Sequence, residues 1–360
     1  MQINKSEYRK INKLSASDIK LFEKDRNKFY RTKILGERQE DLTSSAIVLG
    51  TLVDFILSEC RGSLDEFDRR FDEKFKLLSV KKGSGQMFLL VDELFKLTLR
   101  DMDEEGNITS SFSTRFEEAF DKIQSQDKFK GKKVEWALEQ FRNSDEEIYF
   151  QECLSSIGKY VVDQSMLEKA KSVVERVIQD ENINWLFNGA QELDNLGKTV
   201  IEFEYLGMEC KCEIDDLSID HLNKKIIITE IKTSYDIEDS FEYTYLKRRY
   251  DLAAGFYYLA VNQEFREKQG LQDYEIEFQF LAVDTSKEKL RPLIYKLSKI
   301  DIDNSINGFT LKTGHYYKGL IELINEIKWC NEQSQWSISK IAYENNSILN
   351  LEINYDTTEE

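Results

Sequence analysis

At 360 residues, with 41% hydrophobic and 12% aromatic content, the chain can bury one large core or two modest ones. One proline and 16 glycines argue against long unstructured linkers, and no stretch approaches the roughly 18 consecutive apolar residues of a membrane span. A net charge of −17 argues against tight, indiscriminate coating of nucleic acid.

The charge is uneven. Residues 1–35 hold ten Lys/Arg (Lys5, Arg9, Lys10, Lys13, Lys20, Lys24, Arg26, Lys28, Arg31, Lys33) against four acids. Lys128–Lys133 and Lys247-Arg248-Arg249 are further basic clusters. Screening at physiological salt acts over about 8 Å, so a local basic track inside an acidic protein can still guide DNA. The N-terminal Met1-Gln2-Ile3-Asn4-Lys5 has no apolar region of a secretion signal, and the expected compartment is the cytoplasm, with no membrane partner. Five scattered cysteines, Cys60, Cys153, Cys210, Cys212 and Cys330, predict core thiols rather than a disulfide framework. Two histidines, His221 and His315, exclude a His-rich zinc centre.

In chain order, Leu14-Ser15-Ala16-Ser17-Asp18 predicts a helix start, with Ser15 or Ser17 as cap, and a helix over 18–30. A second helix is expected over 44–58. Residues 61–150, charged, aromatic and broken by Gly83-Ser84-Gly85 and Gly106-Asn107, predict a mainly helical insertion. A long helix over 164–187 follows. The apolar period then switches to two: strands over 199–206, 209–217 and 225–233, a helix over 241–262, strands over 274–283 and 291–297, and a closing helix over 315–334. This order predicts a mixed α/β core with helices on both faces.

Glu230-Ile231-Lys232 closes the apolar run Ile226-Ile227-Ile228-Thr229. Residues two apart share a strand face, so Glu230 and Lys232 project together while Ile227, Thr229 and Ile231 point the other way. On the strand before, alternation places Glu213, Asp215 and Leu217 on one face and Cys210, Cys212, Ile214 and Asp216 on the other. The Cys/Ile face should meet the core, which sends Asp215 away from it, toward Glu230 and Lys232. Two carboxylates beside an amine suit a hard divalent cation and an activated water, the chemistry of phosphodiester hydrolysis.

Three segments carry a resemblance: Cys212-Glu213-Ile214-Asp215, Thr229-Glu230-Ile231-Lys232-Thr233-Ser234, and Arg249-Tyr250-Asp251-Leu252-Ala253-Ala254-Gly255-Phe256-Tyr257. In order and spacing they resemble the PD-(D/E)XK nuclease superfamily, in particular phage recombination exonucleases similar to exonuclease VIII (RecE-like), related to RecB-type nuclease domains. Leu14-Ser15-Ala16-Ser17 and Leu49-Gly50-Thr51-Leu52-Val53-Asp54 resemble the opening helices of that branch. The resemblance implies a restriction-endonuclease-like core, a central mixed β-sheet flanked by helices with a helical insertion. Its parts would be N-terminal helices over 1–60, the insertion over 61–160, the nuclease core over 161–345 and an acidic tail over 346–360.

The resemblance also implies roles. Asp215 and Glu230 would ligate Mg²⁺ (or Mn²⁺) with the Ile231 carbonyl, and Lys232 would orient or deprotonate the water and stabilise charge on the phosphate. Asp54 stands where the branch carries a metal-binding His and is expected to ligate as well. Ala253 replaces the usual Gln of the following helix, while Tyr257 remains. Arg249 and Tyr250 are candidates to make the DNA-backbone contacts, with Lys247 and Arg248 beside them. The related clade with an iron–sulfur cluster needs three C-terminal cysteines, and only Cys330 is C-terminal, so no cluster is expected. The implied function is resection of double-stranded DNA ends for recombination in a bacterial host cell. Duplex ends, a single-strand annealing protein and further copies of the chain are the implied partners. The alternatives are an endonuclease on the same core, or a DNA-binding module with a degenerate site.

Overall fold

Five strands pair into one sheet in chain order: β1 (Leu193–Tyr205), β2 (Met208–Asp220), β3 (Lys225–Ser234), β4 (Glu275–Asp284) and β5 (Leu293–Lys296). In this computed structural model β1, β2 and β3 form an antiparallel meander, β4 runs parallel to β3, and β5 turns back antiparallel to β4. The fold is therefore a mixed α/β core built on a central mixed sheet, as expected. The structure describes residues 8, 11–37, 44–80, 83, 85–103, 106–188, 193–286 and 290–349. The expected tail beyond 349, together with Lys5, Arg9 and Lys10, lies outside the described residues.

The chain divides into two compact units, residues 1–39 with 180–360, and residues 40–179. The division falls at 39/40 and 179/180. Helix Ser45–Asp54 packs against helix Gln164–Gln179, which draws both into the second unit. That unit is mainly helical, with one short parallel strand pair, Phe75–Leu77 and Tyr160–Val162. Its core is rich in phenylalanine, including Phe116, Phe120, Phe141 and Phe150.

In the sheet-bearing unit, α1 (Ala16–Lys24) starts with a capping box in which Ser15 and Asp18 satisfy each other's backbone N–H. The crossover from β3 to β4 is not one helix over 241–262 but two, α2 (Phe241–Lys247) and α3 (Tyr250–Val261). Arg249 breaks them by adopting φ +50°, the left-handed region. Two further elements carry no strong period in the sequence: α4 (Lys299–Asn307), and a two-residue hairpin, Phe309–Thr310 with Tyr316–Tyr317, before α5 (Leu320–Gln333). Ile226 and Ile228 of β3 and Phe278 and Phe280 of β4 pack with Leu252 and Phe256 of α3 and Leu323 and Ile327 of α5 in one apolar cluster. The five cysteines are buried, and none of them is in a disulfide. Burial pushes the Cys210 thiol up to about 12.

Gly255 fixes how closely α3 approaches α4. A Cβ there would lie 2.9 Å from Ser305 Cβ and 3.1 Å from Leu320 Cδ1. Overpacking such a contact costs about 1–3 kcal/mol. Gly255→Val should lower unfolding stability by that order, read as a lower urea midpoint with an unchanged slope.

Candidate active site

The site begins where β2 parts from β3. Their ladder runs only from Asp220–Lys225 to Asp216–Thr229. Beyond it, β2 keeps its pairing with β1 but exchanges β3 for the N-terminal segment: Leu14 N–H donates to Glu209 C=O at 3.0 Å, and Lys211 N–H donates to Leu14 C=O at 2.8 Å. Leu14 thus occupies the edge of β2 that β3 has left, and α1 starts directly after it. The Ile231 N–H, freed of a ladder partner, donates instead to Asp215 Oδ2 at 2.9 Å. In an antiparallel ladder the N–H and C=O of one residue point to the same edge. The Ile231 carbonyl therefore faces the edge on which Asp215 sits.

The Asp215 placement corrects the simple alternation. Cys210, Cys212 and Ile214 belong to the same apolar cluster as Leu217, Ile219, Ile226 and Ile228, so the core face changes parity along β2. The β1–β2 register is irregular on both sides of Gly197, and the second shift sets Gly197 and Thr199 against Leu217 and Ile214. An extra β2 residue is accommodated there, at Asp215-Asp216. The bulge keeps apolar residues inward on both sides and turns Asp215 toward β3, rather than leaving it on a face opposite the core. Asp216 is buried and accepts a hydrogen bond from Ser218 Oγ at 3.3 Å.

Glu230 and Lys232 share a face, as alternation requires, and that face is the helix-covered one that Ile226 and Ile228 also occupy. Lys232 Nζ donates to Glu230 Oε1 at 2.5 Å. Glu230 is 5% exposed, and its second oxygen, Oε2, is buried without a hydrogen-bond partner among the described residues. Leaving a buried carboxylate oxygen unsatisfied costs at least about 1–3 kcal/mol, so such an atom calls for an explanation. Burial alone would pull the Lys232 ammonium down, but the Glu230 and Asp215 carboxylates outweigh it and hold Lys232 above the ordinary lysine range. Lys232 is a cation at neutral pH.

Four further side chains close on this cluster. Tyr250, the first residue of α3, stacks on Phe280, the β4 partner of Glu230, with ring centroids 5.8 Å apart. Lys232 Nζ and Lys20 Nζ each lie 5.4 Å from the centre of the Tyr250 ring. Tyr257 is half-buried, and burial followed by the charges of Glu230 and Asp215 pushes its phenol well above the ordinary value, so it is a neutral donor. Tyr8 is pushed the same way by burial, then Cys212, Glu213, Asp18 and Glu230. Lys20 and Tyr8 were not expected from the sequence. Lys20 lies on an exposed-looking helix position next to Ile19, and only the Leu14 bridge brings its helix here.

The other expected residues divide. Lys247 and Arg248 are exposed at the corner between α2 and α3. Arg249 is not open to solvent: its guanidinium is engaged by Asp251 at 2.9 Å, by the Lys318 carbonyl at 2.6 Å and by Glu23. A phosphate contact there would have to displace a carboxylate, so Arg249 ties α1, α3 and the start of α5 together instead. Ala253, in the position expected for Gln, is buried in the core. Asp54 belongs to the helical unit, at the end of helix Ser45–Asp54, and accepts a hydrogen bond from Ser58 Oγ at 2.7 Å.

Against known proteins, residues 113–343 match a family described as "PDDEXK-like domain of unknown function (DUF3799)". The chain belongs to this family. No curated protein matches the sequence. Among solved structures, a protein from Eubacterium rectale described as a "Putative exonuclease" is similar at 14% identity, with 98% of this chain and 97% of that chain covered and a TM-score of 0.48. No helix among the described residues is long and apolar enough to cross a membrane.

The donor set fits a divalent metal. Among the described residues no group of three or more His, Cys, Asp or Glu side chains is arranged to hold an ion. What this cluster offers is two carboxylates, one of them with an oxygen that accepts no hydrogen bond among the described residues, and a strand carbonyl. Mg²⁺ takes few protein carboxylates and retains waters, and an orphaned Glu230 Oε2 is the atom such an ion would satisfy.

Lys20 provides a titration signature. Burial, then the neighbouring Lys232 ammonium, pull it down to about 8 from an ordinary 10.5. Its proton is held more weakly in the folded chain than in the unfolded one, so its charge opposes folding at neutral pH. That opposition fades as pH rises from about 8 through 10.5, where the unfolded chain alone binds the proton. Lys20→Met should therefore raise the urea midpoint in EDTA at pH 7, and the gain over wild type should shrink steadily toward pH 10.5.

Proposed function

We propose that this protein is a metal-dependent DNA nuclease that hydrolyses phosphodiester bonds, with Asp215, Glu230 and the Ile231 carbonyl as ligands of Mg²⁺ or Mn²⁺ and Lys232 as the catalytic cation. The observation that carries this reading is the buried, unpartnered Glu230 Oε2 beside Lys232, with Asp215 held on the adjoining backbone. The PDDEXK-like family supports it. A bound divalent cation would supply charge neutralisation and a lowered pKa for an attacking water.

The remaining chemistry belongs to the chain. Lys232, held charged between two carboxylates, faces the negative charge that grows on the phosphate oxygens. Tyr257, neutral and half-buried, is placed to donate a hydrogen bond to a phosphate oxygen. Tyr250 shields Lys232 from water and presents a ring face to the substrate. Lys247 and Arg248 supply exposed positive charge for the backbone on either side. The resemblance of the motifs favours an exonuclease that resects duplex ends for phage-type recombination, in company with a single-strand annealing protein.

Lys232→Ala and Glu230→Gln should each reduce Mg²⁺-dependent cleavage of linear duplex at least about 10²-fold, and EDTA should abolish it. Full cleavage by either variant would sink the assignment. Closed circular DNA should resist an exonuclease, whereas its nicking would establish an endonuclease. Metal binding has its own readout: Mn²⁺ should raise the melting temperature of wild type but not of Glu230→Gln, because only an ion bound to the folded state shifts its stability.

A further inference from the structure

We propose that Lys20 is a phosphate-binding residue of this site, a second amine that holds the substrate strand beside Lys232. The inference rests on the nuclease reading above and extends it to a helix outside the strand motifs.

The geometry supplies the argument. Lys20 projects from α1, which packs against α3, and its Nζ shares the Tyr250 ring with Lys232 Nζ, each 5.4 Å from its centre. The two amines are therefore no further apart than the sum of those distances. Lys232 is neutralised by Glu230. Lys20 has no ion pair or hydrogen bond among the described residues, although other lysines of the same unit do: Lys13 pairs with Glu202 at 2.7 Å, and Lys33 with Asp18 at 3.0 Å. An ammonium set half-buried beside a second ammonium, with no counter-ion of its own, is unfavourable until an anion arrives. The groups around it are the Lys232 and Arg249 cations and the Glu230 and Asp251 carboxylates. Asp251 is committed to Arg249, and Glu230 to Lys232 through Oε1, its other oxygen being the one proposed for the metal. A strand phosphate would bring the missing charge, and lysine suits it as a compact point charge with three rotatable donors. The lowered proton affinity of Lys20 agrees with this: the position is poor for a lone cation, and natural sequences tolerate such a cost at functional positions.

The test uses the full chain with Lys20→Met, which keeps the stem without the charge, and Lys20→Arg. On linear duplex with Mg²⁺, Lys20→Met should raise KM about tenfold and leave kcat within about threefold, while Lys20→Arg stays close to wild type. In EDTA, the log–log salt dependence of duplex binding should become shallower by about 0.9, one lost phosphate contact. An unchanged KM and salt slope for Lys20→Met would overturn the proposal. So would a loss confined to kcat that Lys20→Arg fails to restore. Should Lys20→Met not fold, Lys20→Gln takes its place under the same two criteria. Should wild type bind duplex but cleave nothing, the nuclease reading fails by itself, and the salt slope still decides whether Lys20 meets phosphate.

Discussion

The separation of β2 from β3 beyond Asp216–Thr229 is the constraint on which the site depends. A ladder continued past that point would have used the Ile231 N–H that the Asp215 carboxylate now binds. Two devices hold the strands apart without leaving backbone groups unpaired. Leu14 takes over the β2 edge through Glu209 and Lys211, and the Asp215 carboxylate takes over the Ile231 N–H. Each satisfies a group whose burial without a partner would cost about 1–3 kcal/mol. The same two contacts place function: Leu14 delivers α1 with Lys20, and Asp215 is fixed on the adjoining backbone of the Glu230 strand. Opening the sheet and building the site are thus one structural event.

The opened region is costly to keep. It gathers two lysines, two carboxylates and three tyrosines at the margin of an apolar cluster that includes Ile226, Ile228, Phe280 and Leu252. Buried ion pairs return little net stability over apolar packing, because desolvation offsets their attraction. Among the described residues, the Lys232–Glu230 pair leaves Glu230 Oε2 without a hydrogen bond, and Lys20 has no ion pair. The stabilising contacts lie around this region instead. The Arg249 guanidinium ties α1 to α3 and the segment before α5, Gly255 lets α3 and α4 meet closely, and Tyr250 rests on Phe280. A rigid frame around a strained polar cluster is the arrangement expected where charge must be ready before substrate binds.

Much of this was legible in the sequence, and the failures have physical causes. Period-two alternation was enough to pair Glu230 with Lys232, since β3 is regular along its whole length. It misled at β2, because a bulge inverts alternation and Asp215-Asp216 carries no glycine to signal one. The break between α2 and α3 was equally silent: neither proline nor glycine precedes Tyr250, and Arg249 enters the left-handed region because three internal acceptors hold its guanidinium. That engagement also removed Arg249 from the exposed cluster that Lys247 and Arg248 still form. Lys20 and Tyr8 had no local signal, as their approach to Glu230 depends on a bridge nearly 200 residues apart in sequence, between Leu14 and Cys210. α4 and the hairpin after it are held by packing and by Gly308 rather than by a strong apolar period.

On the proposed nuclease reading, the net charge of −17 would shape recognition rather than oppose it. With screening over about 8 Å, an anionic strand senses mainly the charges near its own path. Around the cluster, positive charge is available only where no internal acid has already claimed it. Arg249 is claimed by Glu23 and Asp251 and Lys13 by Glu202, whereas Lys20 is not claimed and Lys247 and Arg248 are exposed. An acidic surface elsewhere would repel the rest of a bound duplex and suppress non-specific wrapping. On the proposed nuclease reading, binding would rest on a handful of phosphate contacts gathered near Asp215 and Glu230, with a shallow salt dependence compared with a basic DNA-coating protein.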